Sequence, residues 1–535
     1  MRVKVSALIT LVVARSLVPA LCGPLKSLPV PTLPHATAQV TVAAGTPQLG
    51  AALRSCLAAI GCRLVDGSNP AALRAASSDR LWAKLHSTQV PLAVVFPRSA
   101  DQVAKAVKCA RNAGVKVTAS MLQIWRRQLL GYSVRAGTIT IDLTELDRAA
   151  VAANKATVVV EAGALLGRAY YEVWRQAGEG YGLVAGTCPN VGVAGHILAG
   201  GFSYLSPQFG LSCDSLLSLE MVTADGQVVT AARSQNPDLF AASCGGGGGN
   251  FGIATRFLLK LHRVARTYTQ ASVEIDAEHG LDFLMHWQSK ILAAASPSLF
   301  CEINLRSRGR VSVHFAMAGN SLALKSELRQ LGVLNSPWLP GSSLPQGSVQ
   351  ELSWIKLMVE AAGSKAPNHT VEALLDSAYA LSQRDYFTEK SWFVSKALPR
   401  QAFADIVTAI EAAGAVVTLN SIALRSAVHR QASNATAFPW RNAIYRLKAA
   451  RHTEKEGEIP LLDKAVQKVQ KVVAPLLPGQ PAYLGYVDGE ASADPLLSYY
   501  GSNLGWLQRV KSRWDPSGFF STTPLAIPLA SSTRN

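Results

Sequence analysis

Gly186-Thr187-Cys188-Pro189-Asn190-Val191-Gly192-Val193-Ala194-Gly195-His196, closing with Gly200-Gly201-Phe202, is followed by Asn236-Pro237-Asp238-Leu239-Phe240 and then by Gly245-Gly246-Gly247-Gly248-Gly249-Asn250-Phe251-Gly252-Ile253. Glycines at this density let main-chain N–H groups come close to a ligand, as cradling a phosphate or lining a flat ring requires. One glycine loop says little. Two clusters in this order say more, although a low-complexity tract is the other reading of the run Gly245–Gly249. The chemistry is therefore expected between residues 186 and 252.

Upstream, the apolar run Leu92-Ala93-Val94-Val95-Phe96 stops at Pro97. Ser99 then opens an amphipathic helix over Val103–Ala113, which Gly114 ends before Val115-Lys116-Val117-Thr118. This is a strand–helix–strand unit. A second is expected around Ile139–Leu143 and Thr157–Val160, with a helix near Leu166–Ala177. Downstream of Lys260 the texture changes to longer alternating strands, such as Ser312–Ala316, and to helices with Phe403, Ile406, Val407 and Ile410 on one face. A second domain is expected over about 265–479.

The 535-residue chain is 49% hydrophobic and 16% charged, which excludes a disordered chain or a small disulfide-stapled scaffold. Its net charge of +17 suits an acidic glycan or an anionic surface. Nucleic acid is not expected as a partner, because the basic residues are scattered and the N-terminus reads as an export signal. That signal comprises Arg2 and Lys4, the apolar stretch Val5–Ala14, and small residues up to Cys22. Arg15 interrupts the apolar stretch, which falls short of the ~18 residues of a membrane span. We expect a signal peptide over 1–22, a proline-rich leader over 23–49, a secreted protein and no membrane partner. The sequons Asn368-His369-Thr370 and Asn434-Ala435-Thr436 are compatible with glycosylation on that route.

Eight cysteines show no C-x-x-C spacing, so no metal site is expected. Cys56 and Cys109 are the favoured disulfide. Cys62 is the rival partner for either, and buried free thiols are the remaining reading.

The clusters, together with Val94-Val95-Phe96-Pro97-Arg98-Ser99, Ile141-Asp142-Leu143, Val222-Thr223-Ala224-Asp225-Gly226, Tyr499-Tyr500-Gly501-Ser502-Asn503-Leu504 and Asp515-Pro516, resemble the FAD-binding domain of the vanillyl-alcohol-oxidase (PCMH) type. More specifically, they resemble the berberine-bridge-enzyme-like family of FAD-linked oxidases. The resemblance implies an α+β, two-domain flavoprotein. Its parts would be a PCMH-type FAD-binding domain at 87–264, an α/β substrate domain with an antiparallel sheet at 265–479, and a C-terminal segment at 480–526 that returns to the FAD domain.

By the same resemblance FAD is the cofactor. Cys188, in G-x-C-x-x-V-G, would bond the flavin ring; read from the residue alone, it is a small buried hydrophobe. Val191 matches an oxygen-gate position, and a small valine there implies oxidase behaviour. Gly192, Gly195, His196, Gly200, Gly201, Gly249, Asn250, Phe251, Gly252 and Ile253 complete the expected cofactor contacts. In Tyr483-Leu484-Gly485-Tyr486-Val487-Asp488, Gly485 stands where the family has asparagine, but both tyrosines remain. Tyr483 or Tyr486 would take a substrate hydroxyl proton; a core strand with packed tyrosines is the other reading.

The chain also departs from the pattern. The family's glycine-rich pyrophosphate loop, which carries a second flavin-linking histidine, is replaced by Ser120-Met121-Leu122-Gln123-Ile124-Trp125-Arg126-Arg127-Gln128-Leu129-Leu130. Arg126 and Arg127 offer guanidinium forks in its place; a mis-predicted exon boundary and a paralogue with damaged cofactor binding are the other readings. Arg430 is aligned with a strand glutamate of the alkaloid-forming members, and Trp440 stands for a usual histidine. The expected activity is oxidation of an alcohol or sugar hydroxyl, with O2 as electron acceptor. The alternative is a non-catalytic flavin-fold protein with a damaged loop at 120–130, acting as an extracellular binding or structural protein.

Overall fold

The computed structural model describes residues 49–77, 90–120, 134–340, 343–363, 370–376, 386–487, 494–523 and 525–531. The export signal, the leader up to residue 48 and loop residues 121–133 lie outside these ranges, as does the sequon residue Asn368.

Ser99 begins the helix Ala100–Asn112 by accepting the Gln102 N–H at 3.2 Å, and Gly114 ends it with a positive φ of 67° that favours glycine. Val103, Ala106, Val107 and Ala110 recur at helical spacing and are buried. The helix packs beside a sheet in which Ala93–Phe96, Ile139–Asp142 and Val117–Ser120 run parallel in that spatial order, with Arg63–Asp66 antiparallel at one edge. The helix Ala51–Ala58 is tied to it by the disulfide Cys56–Cys109. The first strand–helix–strand unit is thus present. The second is not, because Ile139–Asp142 and Thr157–Glu161 belong to different sheets, with the short strand Ala149–Val151 between them in sequence.

A five-stranded antiparallel sheet follows, ordered Ala149–Val151, Thr157–Glu161, Ile253–Lys260, Leu216–Val222 and Val228–Ala232. The larger sheet has seven antiparallel strands, in the order Val349–Leu352, Tyr268–Ile275, Val311–Ala318, Leu299–Leu305, Val416–Ser421, Tyr445–Thr453 and Tyr386–Val394. The architecture is α+β.

Two large cores result. One gathers Leu53, Val95, Ile141, Val160, Leu219 and Phe257, together with the C-terminal Tyr500, Leu507 and Ile527. The other gathers Ile303, Phe315, Leu419 and Leu447 from one face of the seven-stranded sheet, packed on the helices Arg400–Ala413 and Ile459–Val473. Period-two alternation along each strand sends the intervening residues to the opposite face. There Glu302, Asn304, Thr418, Asn420, Arg446 and Lys448 are all buried. That polar face looks toward the first core, which takes in Phe300, Ala316 and Phe393 from the same sheet.

Arg441 joins the two halves through a bidentate pair with Asp214, at 2.7 and 2.8 Å, with both side chains almost fully buried. Beside it, Cys213 and Cys244 form a second disulfide, which the sequence reading did not foresee. The C-terminal segment is stitched to the second glycine cluster. The Tyr500 hydroxyl donates to the Gly246 carbonyl, Ile527 N–H donates to Asn250 Oδ1, and buried Lys511 donates to both the Asn250 carbonyl and Asp515.

Candidate active site

A cleft with about 810 Å³ of empty space, counting its open mouth, lies between the first glycine cluster and the polar face of the seven-stranded sheet. One wall is the loop Gly186-Thr187-Cys188 with Val191, and the opposite wall brings in Asn420, Ile422 and Arg446. Phe202, Tyr483 and Tyr486 also line it, as do Tyr204 and Phe300, whose ring centres lie 4.5 Å apart.

The glycine loop is held from behind. Tyr170 donates its hydroxyl to the Ala185 carbonyl at 2.6 Å, and burial, with the Cys188 sulfur beside it, pushes that phenol well above its ordinary range. Gly167 N–H donates to the Pro189 carbonyl at 2.8 Å, and a Cβ on Gly167 would come within 2.7 Å of the proline ring. Cys188 is a buried thiol outside any disulfide. Asn190 Oδ1 is buried and has no hydrogen-bond partner among the described residues.

His196, in the short helix Val193–Leu198, accepts the Gly186 N–H on Nε2 at 3.1 Å and lies 2.8 Å from Ser212 Oγ. Gly201 completes this knot. Its φ is 80°, and a Cβ there would lie 2.4 Å from Ser212 Oγ and 2.6 Å from His196 Nε2. Only glycine fits. Its N–H donates to the hydroxyl oxygen of Tyr483 at 3.2 Å, so the first cluster directly contacts the C-terminal motif.

Positive charge surrounds the two tyrosines. The Arg446 guanidinium lies 5.3 Å from the Tyr483 ring centre and 4.7 Å from that of Tyr486, and Lys448 Nζ lies 5.2 Å from the latter. The tyrosine rings meet edge to face at 5.3 Å. Behind Arg446, Nη2 donates to Asn420 Oδ1, and Asn420 Nδ2 donates to Glu302 Oε2 at 2.6 Å. Lys448 Nζ is 3.5 Å from Glu389.

Of the residues singled out from sequence, Cys188, Val191, His196, Tyr483 and Tyr486 meet at this one cleft. Gly192 caps the His196 helix, Gly195 lies within it, and Gly200 and Gly201 turn the chain back beneath it. Gly249, Asn250, Phe251, Gly252 and Ile253 lie off the cleft. The Asn250 side chain is engaged by Gly246 and Ile527, a Cβ on Gly252 would meet Met221 at 2.6 Å, and Ile253 starts a central strand. Tyr483-Leu484-Gly485-Tyr486 is a turn and not a strand, although Tyr483 is buried and its ring packs on Phe202, Phe393 and Tyr486.

Arg430 is a further correction. It is exposed, in the 3-10 turn Ala427–Arg430, whereas the strand of the seven-stranded sheet ends at Ser421 and presents Asn420 to the cleft. Sequence reading also missed Arg446, Lys448, Asn420 and Glu302. Their signal was the alternation of polar with apolar residues in Arg446-Leu447-Lys448, Thr418-Leu419-Asn420 and Glu302-Ile303-Asn304.

The site fits the flat ring of a flavin. Its walls are largely apolar, a reduced thiol stands at one of them, and the adjoining turn holds an unpaired acceptor in Asn190. Comparison with known proteins agrees. Residues 91–232 match the model of an FAD-binding domain, and residues 482–528 the model described as berberine and berberine like. Berberine bridge enzyme-like 21 of Arabidopsis thaliana is 26% identical over 457 residues, covering 81% of this chain and 83% of that one. The wild-type BBE-like 1 structure from Physcomitrella patens superposes with a TM-score of 0.78 at 27% identity, covering 89% of this chain and 99% of that one. A chitooligosaccharide oxidase, at 22% identity and a TM-score of 0.76 over 90% of this chain and 100% of that one, shares the fold.

Proposed function

Because the chain belongs to the berberine-bridge-enzyme-like FAD-linked oxidoreductases, we propose that it is a secreted oxidase that converts an alcohol or sugar hydroxyl to a carbonyl in this cleft. The observation that carries the reading is the single cleft shared by the Cys188 thiol and the Tyr483 hydroxyl. Cys188 and its loop would hold FAD, which would supply the hydride acceptor for the carbinol carbon and the route of the electrons to O2.

This chain's own residues would do the rest. Cys188 would hold the flavin ring, with Val191 and His196 on the same loop. Tyr483 would take the hydroxyl proton on its phenolic oxygen. The Gly201 N–H donates to that oxygen, and the Arg446 guanidinium lies 5.3 Å from the ring centre. Phe202 and Ile422 would exclude water around the reacting carbon. Val191, a small residue on the loop, leaves room for O2. The export signal and the disulfides Cys56–Cys109 and Cys213–Cys244 support secretion.

The visible absorption spectrum of the purified secreted protein, before and after acid precipitation, tests the reading. Yellow colour retained in the pellet, and released in Cys188→Ala, is the expected result. A protein without flavin would instead favour a non-catalytic extracellular binding protein built on this fold.

A further inference from the structure

The Arg446 guanidinium lines the cleft although the residue is only 4% exposed. Its Nη2 donates to Asn420 Oδ1, and its Nε is buried without any hydrogen-bond partner. Among the described residues no carboxylate lies within ion-pairing distance of it. Burying a guanidinium without an anion is costly. The rings of Phe202, Tyr483 and Tyr486, with centres 5.0, 5.3 and 4.7 Å from Cζ, offset part of that cost but accept none of its in-plane hydrogen bonds.

Glu302 explains how the fork is held. The Asn420 amide donates Nδ2 to Glu302 and presents Oδ1 to Arg446. The strand register sets Glu302, Asn420 and Arg446 side by side. Asn420 thus stands between Glu302 and the guanidinium, and the fork remains available to a ligand.

We propose that Arg446 binds the carboxylate of the substrate, so that the cleft selects an alcohol that also bears a carboxylate: a hydroxy acid or sugar acid. A guanidinium pairs with a carboxylate through two parallel hydrogen bonds, which also fixes the orientation of the molecule. The chain's charge of +17 would speed the encounter with an anion. The inference rests on the reading of this cleft as the site of alcohol oxidation.

The test uses the purified full-length secreted protein. Binding of glucuronate, gluconate and benzoate is measured by calorimetry, each against its neutral amide, and oxidation of the first two and of their amides is followed by peroxide formation. The acid of at least one pair should bind about tenfold or more tightly than its amide. Arg446→Gln should abolish that preference, and Arg446→Lys should keep part of it. No pair favouring the acid, or a preference that survives in Arg446→Gln, overturns the proposal. The wild-type comparison alone decides if the variants fail to fold. Oxidation of amides as readily as acids, without preferential binding, would sink this inference and leave the oxidase reading standing. Acid-selective binding that depends on Arg446, with no turnover of any alcohol, would support the anion site and sink the oxidase reading.

Discussion

Gly201 N–H donates to the phenolic oxygen of Tyr483 across 3.2 Å, joining residues 282 apart in sequence. The contact needs a residue with φ of 80° and no side chain, because the space a Cβ would fill is taken by Ser212 and His196. Gly201→Ala is therefore expected to destabilise the protein by more than about 1 kcal/mol and to move the Tyr483 hydroxyl. Thermal unfolding and turnover should fall together, and a variant with unchanged melting temperature and rate would refute the packing argument.

Tyr483→Phe removes the proposed proton acceptor while keeping the ring. Substrate-dependent flavin reduction should slow by about 100-fold or more, with flavin content unchanged. Tyr486→Phe should have the smaller effect, since it is the Tyr483 oxygen that receives the Gly201 N–H. Rapid-mixing absorbance under exclusion of O2 reads both, and the reverse order would transfer the role to Tyr486.

The buried pair Arg441–Asp214 ties the loop before the strand Tyr445–Thr453 of the seven-stranded sheet to the FAD-binding part. Arg441→Met leaves Asp214 buried without its cation, and a loss of about 3–5 kcal/mol is expected, read as a lower denaturant midpoint. A midpoint within error of wild type would show that the two halves do not depend on this pair.

Burial pushes the imidazoles of His262 and His314 down to about 4, with Lys260 adding to the effect at His262. Both are neutral in the fold, whereas in the unfolded chain they take up a proton as pH drops through the ordinary 6.5. Their contribution to stability is thus complete above pH 6.5, declines as pH falls toward about 4, and is level below that. The denaturant midpoint measured against pH should follow this course, and His314→Gln should flatten it. A midpoint that stays constant over that window would contradict the assignment.

Much of the frame was legible because its signals are local. Ser99 and Gly114 bracket a helix, and Cys188 and His196 stand in one glycine-rich stretch. Arg446, Asn420 and Glu302 were not legible as a group, because their adjacency is created by the pairing of three strands far apart in sequence. Arg430 was misplaced because the chain leaves the strand at Ser421 and forms a 3-10 turn over Ala427–Arg430, which the local sequence does not announce. The Cys213–Cys244 bond depends on the helix Pro237–Ser243 ending beside the 3-10 turn Ser212–Ser215, a tertiary fact.

The central claim is that this cleft oxidises an alcohol through flavin, and the absorbance of the flavin itself tests it most directly. A panel of sugars, sugar acids and simple alcohols is added to the purified protein without O2, and air is then readmitted. The account predicts that at least one of them bleaches the flavin band, and that air restores the band with stoichiometric hydrogen peroxide. A flavin that stays oxidised with every member of the panel, or a protein that carries no flavin, would contradict it.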